Sequence, residues 1–246
     1  MPTAPNPLRL IEDHSDWCIV NKRAPLLIHP TRPDGENTLW HELQRYFKEQ
    51  DLFLVNRLDR ETSGLVLVSK NKTTSSYFGR LTMERGIRKR YYAFVHGIPK
   101  ATGIIDEPIG RRCDFEDSPI YVQQIVHPKG SSAVTEYTTL ETRYRDKTPV
   151  SLLEIKLHTG RMHQIRVHLK HIGTPVVGDK LYGSHSDLYL ECVKSGWNDL
   201  MLERLWIRRQ ALHAFQMEFP WKNEDVRIQT SLPSDLQVFW DGLDLS

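Results

Sequence analysis

The chain has 246 residues, 39% hydrophobic and 26% charged, enough to bury a substantial core in one large domain or two small ones. A formal net charge of +2 argues nothing by itself, so charge has to be read locally. Cys18, Cys113 and Cys192 are odd in number and far apart, which excludes a disulfide framework or zinc ribbon and points to a reducing cytoplasm. MPTAPNPLRL at the start has no apolar core, and no run of about 18 apolar residues occurs anywhere, so neither secretion nor a membrane span is expected.

In chain order, LRLIE and WCIVNK read as two short strands separated by the turn-like DHSD. After the Pro/Gly/Asp/Asn-rich loop LLIHPTRPDGEN, Leu39, Leu43 and Tyr46 fall at helical spacing. DLFLV and GLVLVSK read as strands around NRLDRETSG, residues 56–64. Residues 73–85 follow as a helix stopped by Gly86, then 87–97 as a strand. Its alternation puts Ile87, Lys89, Tyr91, Ala93 and Val95 on one face. Residues 98–149 are loop-rich with short strands such as AVTEYTTLE, and VSLLEIKLH is a further strand. RMHQIRVHLKHIG is expected to be helical, with Met162, Ile165, Leu169 and Ile172 in one apolar stripe. LHAFQMEF is a late strand, and a polar segment ending SLPSDLQVFW closes the chain. Strands and helices mix without regular βαβ alternation, which favours an α+β fold.

Several clusters could carry chemistry. RLTMERGIRKR, residues 80–90, holds five Arg or Lys against one Glu; it suits a phosphate-bearing partner, or simply a solvated face. Asp59 lies between Arg57 and Arg60, cations that would hold it ionised as a nucleophile or electrostatic group; a turn-forming aspartate among solvated arginines is the alternative. In TGRMHQIRVHLKH the helix is expected to begin near Arg161, with His163, Arg166 and Lys170 as a polar stripe. Arg161 and His163 at that terminus form a candidate anion site, against the alternative of an amphipathic helix with a solvated basic face.

The histidines there do not suggest a metal. His163 and His168, five residues apart, would point about 140° away from each other on a helix, and HExxH is absent. GxSxG, GxGxxG and GxxxxGK[ST] are absent too. Glu61, Asp106 and Glu154 could in principle partner Asp59 as a glycosidase pair, but no spacing selects one.

Together these segments resemble one family. NRLDRETSGLVLVSKN is similar to the hallmark HRLDxxTSGLxL of the pseudouridine synthases that modify ribosomal and transfer RNA. IRKRYYAFVHG resembles their KxYxAxVxG, and TGRMHQIRVHLKHIGTPVVGDKLYG their TGRxHQIRxHL followed by GxPxxGDxxYG. IVNKRAPLLIHP, LHAFQMEF and SLPSDL resemble opening and closing segments, so the likeness runs over nearly the whole chain in order.

The resemblance implies a single catalytic domain over residues 1–246, α+β with a mainly antiparallel central sheet and a cleft across it. It implies that Asp59 is the catalytic carboxylate, Tyr91 the aromatic at the target base, and Arg166 the cation that pairs with the carboxylate. Arg57, Arg161, His163 and Gln164 become substrate-binding or loop-positioning residues. RNA is the implied partner, with no cofactor or metal and a monomer expected. Because the likeness begins within about ten residues of Met1, no S4-type RNA-binding domain is expected before it. The chain departs from the pattern at Asn56, where the family usually has His, at Arg23 and Pro25, where Pro and Gly are common, and at Met162.

Overall fold

The structure, a computed structural model, describes residues 8–30, 37–48, 51–183 and 187–245. Part of the loop expected over 26–37 therefore lies outside the described residues. The first half of the chain forms β1 (Leu10–Asp13), β2 (Trp17–Lys22), α1 (Leu39–Phe47), β3 (Phe53–Leu54), β4 (Ser63–Ser69), α2 (Lys72–Met83), β5 (Arg88–His96), β6 (Thr102–Asp106), β7 (Ile109–Arg111) and β8 (Gln124–Val126). The second half forms β9 (Val134–Arg145), β10 (Thr148–Leu157), α3 (Gln164–His171), α4 (Asp187–Ser195), α5 (Asp199–Leu205), β11 (Leu212–Trp221), β12 (Glu224–Gln229), α6 (Ser234–Asp241) and β13 (Asp244–Leu245).

Two compact units result: Met1–Lys89 with His213–Ser231, and Arg90–Leu212 with Leu232–Ser246. In the first, the strand order is β1-β2-β4-β11, with β3 on β4 and β12 on β11. All these pairings are antiparallel except β4 with β11. Trp17 and Ile19 of β2, Leu65 and Leu67 of β4, and Met217 and Phe219 of β11 pack with Phe78 and Leu81 of α2. Two-residue spacing puts each strand pair on one face. Burying Phe78 alone contributes about 2–3 kcal/mol. Its ring also meets Phe219 edge-on, with centroids 5.3 Å apart, the quadrupole-favoured geometry.

The helices start where their caps dictate. The Asn71 side chain accepts from Thr74 N–H at 2.9 Å, satisfying one orphan donor at the start of α2. That helix ends at Met83, and the left-handed residue that follows is Arg85, φ 59°, rather than the expected glycine. Gly86 N–H still returns to Leu81 C=O at 2.7 Å, so the stop signal is displaced by one residue. In α1, Leu39 and Leu43 are buried but Tyr46 is exposed; the apolar stripe is narrower than its spacing suggests.

In the second unit the order is β5-β10-β9-β13, with β6 on β9 and a separate β7–β8 hairpin, all antiparallel. Tyr91, Ala93 and Val95 of β5 are buried as the alternation predicts, but so is Phe94. Its ring lies 5.1 Å from Trp240 of α6, so most of SLPSDLQVFW is the packed helix Ser234–Asp241 and not a polar tail. Both units are dominated by antiparallel pairing with helices interspersed: the α+β class expected.

Candidate active site

The Asp59 segment is a loop between the antiparallel strands β3 and β4, whose register pairs Phe53 with Ser69 and Leu54 with Val68. Its backbone is tied down at several points. Val55 N–H donates to Leu67 C=O at 2.9 Å, and Thr62 N–H to Asp59 C=O at 3.1 Å. Lys22, fully buried, donates from Nζ to the carbonyls of Leu26 (2.8 Å), Arg23 (3.1 Å) and Arg60 (3.1 Å). A buried ammonium is tolerable only when hydrogen-bonded in this way, and here it joins the end of β2 to the residue after Asp59. Leu26 N–H reaches the same Arg60 carbonyl at 2.8 Å. Asp59 is half-buried within this frame, while Arg57 and Arg60 are exposed.

Two residues of the segment are explained by packing. Gly64 has φ +118°, and a Cβ there would lie 2.2 Å from Ala214 C=O on β11; only glycine permits β11 to lie alongside at that point. Beside it, Ser63 Oγ meets His213 Nδ1 at 2.9 Å.

Asn56, the departure from the family pattern, has a structural role. Its Oδ1 accepts Leu67 N–H at 2.8 Å and its Nδ2 donates to Leu65 C=O at 3.3 Å, so the amide continues the β3–β4 ladder where the main chain leaves it. Asn56→Ala would strand the buried Leu67 N–H; a stability loss of about 1–3 kcal/mol is expected in chemical denaturation.

His29 was missed as part of this neighbourhood. Its pKa is pushed down by partial burial and then by the Arg57 cation of the same unit. Its only sequence signal is its place in IVNKRAPLLIHP.

In the second unit, TGRMHQIR folds differently from the expected helix. The helix α3 begins at Gln164, not near Arg161, and His163 precedes it in the left-handed region at φ 56°. Met162 lies outside the helix and is exposed, so the four-membered apolar stripe reduces to Ile165 and Leu169, with Val167 also buried. The reason is Gln164. Its Oε1 accepts from Thr159 Oγ (2.8 Å) and Arg161 N–H (2.9 Å), and its Nε2 donates to Val134 C=O and Thr135 Oγ, both 3.0 Å. These contacts close residues 159–163 into a turn that delays the helix.

Arg166 is buried and forked onto the fully buried Asp179: Nε to Oδ2 at 2.6 Å and Nη2 to Oδ1 at 2.9 Å. Leu181 and Tyr182 N–H donate to the same Oδ1 at 2.9 and 3.0 Å. Burial drives the Asp179 pKa upward, but Arg166 and these two amides outweigh it and hold the carboxyl below its ordinary value. The guanidinium also sits over the Tyr182 ring, 4.8 Å from its centroid.

Two further histidines have protein partners: His168 meets Thr135 Oγ at 2.8 Å and Glu107 C=O at 2.9 Å, and His158 meets Glu136 at 2.7 Å. Arg161, His163, Gln164 and Arg166 are thus gathered in one turn and the helix it opens. Tyr91 stands on β5, buried, opposite Ile155 of β10. Arg57 and Asp59 belong to the first unit, and this second group to the other.

Comparison with known proteins shows the family. The family model described as RNA pseudouridylate synthase matches residues 16–171, which include Asp59, Tyr91 and the TGRMHQIR turn. "Ribosomal large subunit pseudouridine synthase D" of Haemophilus ducreyi is 31% identical over 250 residues, covering 96% of this chain and 71% of the relative. The protein of that name from Xanthomonas campestris is 33% identical over 245 residues, covering 96% and 70%. Among solved structures, "Human RNA Pseudouridylate Synthase Domain Containing 1" superposes with TM-score 0.72 at 28% identity, covering 95% of this chain and 86% of that one. The chain therefore belongs to the RNA pseudouridylate synthase family of RNA-acting isomerases.

Proposed function

We propose that this protein converts one or a few uridines of large-subunit ribosomal RNA to pseudouridine, with Asp59 as the reacting carboxylate and both units serving one catalytic domain. The observation that carries this reading is the family match across the Asp59 loop, joined to relatives named for the large ribosomal subunit at 96% coverage of this chain.

The reaction breaks the N1–C1′ bond of the nucleoside, turns the detached uracil, and joins C5 to C1′; C5 then gives up its proton and N1 gains one. Atoms and electrons balance within the substrate, so no cofactor or metal is needed. One ionised carboxylate suffices, whether it attacks C1′ or removes the C2′ proton. In this reading Arg166, anchored on Asp179, is the cation of the TGRMHQIR segment, and Tyr91 offers a flat face to the base while it turns. Arg57, Arg161 and His163 hold the RNA, and Gln164 shapes the turn that presents the last two. A base stacked in a helix must first be extruded at a cost of a few kcal/mol, which phosphate contacts from the exposed arginines offset. Three free thiols, with Cys18 pushed up to about 12 by burial, suit a reducing cytoplasm, and we place the enzyme there as a monomer.

Two measurements test the reading. A pseudouridine map of ribosomal and transfer RNA from cells lacking this protein is expected to lose signal at one or a few large-subunit positions; an unchanged map would contradict it. For Tyr91, stacking on a base contributes about 1–3 kcal/mol. Tyr91→Ala should therefore slow turnover by roughly 5- to 150-fold while Tyr91→Phe stays near wild type. Equal losses in the two variants would assign the role to the hydroxyl instead.

A further inference from the structure

The turn Gly178–Gly183 supplies two side chains to the 161–166 segment. One is Asp179, already described as the partner of Arg166. The other is Tyr182, which is buried, and its hydroxyl has a defined polarity. Gln124 N–H donates to Tyr182 Oη at 2.8 Å. A backbone amide can only donate, so the oxygen accepts there and keeps its own proton to give. His163 Nδ1 lies 2.8 Å from the same oxygen, in reach of that proton, and the two rings meet edge-on with centroids 5.5 Å apart.

The turn itself is rigid. Gly178 has φ +75°, and a Cβ there would lie 2.1 Å from Arg209 C=O; Gly183 N–H closes the turn on Asp179 C=O at 2.9 Å. The Tyr182 ring is fixed against the Arg166 guanidinium and packs with Ile109, Val167 and Leu181. His163 is held as firmly, in a left-handed conformation that a β-carbon disfavours, with Val167 N–H on its carbonyl at 3.0 Å. An unusual backbone geometry at a side chain with one oriented ring nitrogen is the pattern of a preorganised group.

We propose that Tyr182 is a positioning residue for His163. Its hydroxyl fixes the neutral imidazole as the Nε2–H tautomer, so that His163 presents a hydrogen-bond donor to an oxygen acceptor of the RNA substrate. The donor role of His163 rests on the functional reading above; the tautomer does not. Sequence reasoning placed His163 in the site but gave no partner for it, because Gln124 and Tyr182 are 39 and 19 residues away.

The test has two arms. In the first, the intact chain is labelled with nitrogen-15 and its histidine rings are observed by NMR near pH 8, above the ordinary histidine range of about 6.5. His163 is assigned by the signal that disappears in His163→Gln. Its Nδ1 should resonate as an unprotonated nitrogen and Nε2 as a protonated one, and Tyr182→Phe, which keeps the ring, should shift His163 towards a mixture of tautomers. A protonated Nδ1 in the wild type, or no change in Tyr182→Phe, overturns the proposal.

In the second arm, pseudouridine formation on unmodified, transcribed large-subunit ribosomal RNA is compared by double-mutant cycle. Tyr182→Phe should lower kcat/KM by about tenfold, in line with one lost hydrogen bond, yet add little once His163 is already alanine. The same tenfold loss in both backgrounds overturns the proposal, since the hydroxyl would then act only through Gln124. If the wild-type chain forms no pseudouridine, the functional reading fails while the first arm still decides the tautomer.

Discussion

Asp59→Asn is expected to fold, to bind RNA, and to form pseudouridine about 10,000-fold more slowly or worse. The amide has the size of the carboxylate but is neither a nucleophile nor a base. The architecture should survive because the loop is held by other groups: Thr62 N–H bonds the Asp59 main-chain carbonyl, and the buried Lys22 grips the carbonyls of Arg60, Leu26 and Arg23. Single-turnover conversion, melting and RNA binding on the same preparation separate the two contributions. Loss of folding together with activity would make Asp59 a structural residue of the turn.

Asp179→Ala is expected to have the largest effect on stability. It leaves the Arg166 guanidinium buried without the two hydrogen bonds that now compensate it, and removal of one partner from a buried pair costs about 3–5 kcal/mol. For a chain of this size that corresponds to a melting temperature lower by roughly 10 °C. The pH dependence has a definite sign. Asp179 has a folded pKa below its unfolded value, so its contribution is fully present above the ordinary carboxylate range and is lost as pH falls through the depressed folded value. The stability gap between wild type and Asp179→Ala should accordingly stay constant around neutrality and narrow only in acid. Asp179→Asn, which keeps an acceptor for the Leu181 and Tyr182 amides, should fall between the two. A gap that widens in acid would show that the pair is not the stabilising element.

The residues legible in the sequence were those whose signal is local. The strands around NRLDRETSG, the helix after them and the buried alternation of β5 follow from period and punctuation over a dozen residues. Asp59 was conspicuous because a carboxylate between two arginines has no reason to interrupt two apolar runs, and the family likeness supplies the role proposed for it. The helix start at Gln164 was misplaced because four hydrogen bonds of one amide, two of them to residues 134 and 135, override the apolar period of RMHQIRVHLKHIG. The roles of Lys22 and Tyr182 were silent for a related reason: a buried lysine grips a carbonyl 38 residues away, and a tyrosine orients a histidine 19 residues away. Nothing in their neighbours' identity announces such partners. The helices α4, α5 and α6 are seven to nine residues long. They are too short for periodicity to separate them from polar loop; only the Asn198 side chain, accepting Met201 N–H at 2.9 Å, marks a start in α5.

The central claim is that this chain isomerises uridine in RNA and does so through Asp59. Purified wild-type protein and Asp59→Asn can be incubated with unmodified large-subunit ribosomal RNA, and pseudouridine, which has the mass of uridine, read at each position by mass spectrometry after pseudouridine-selective derivatisation and digestion. Conversion approaching completion at one or a few uridines with the wild type, and none with Asp59→Asn, is the predicted result. Equal conversion by the two proteins, or none by either, would contradict it.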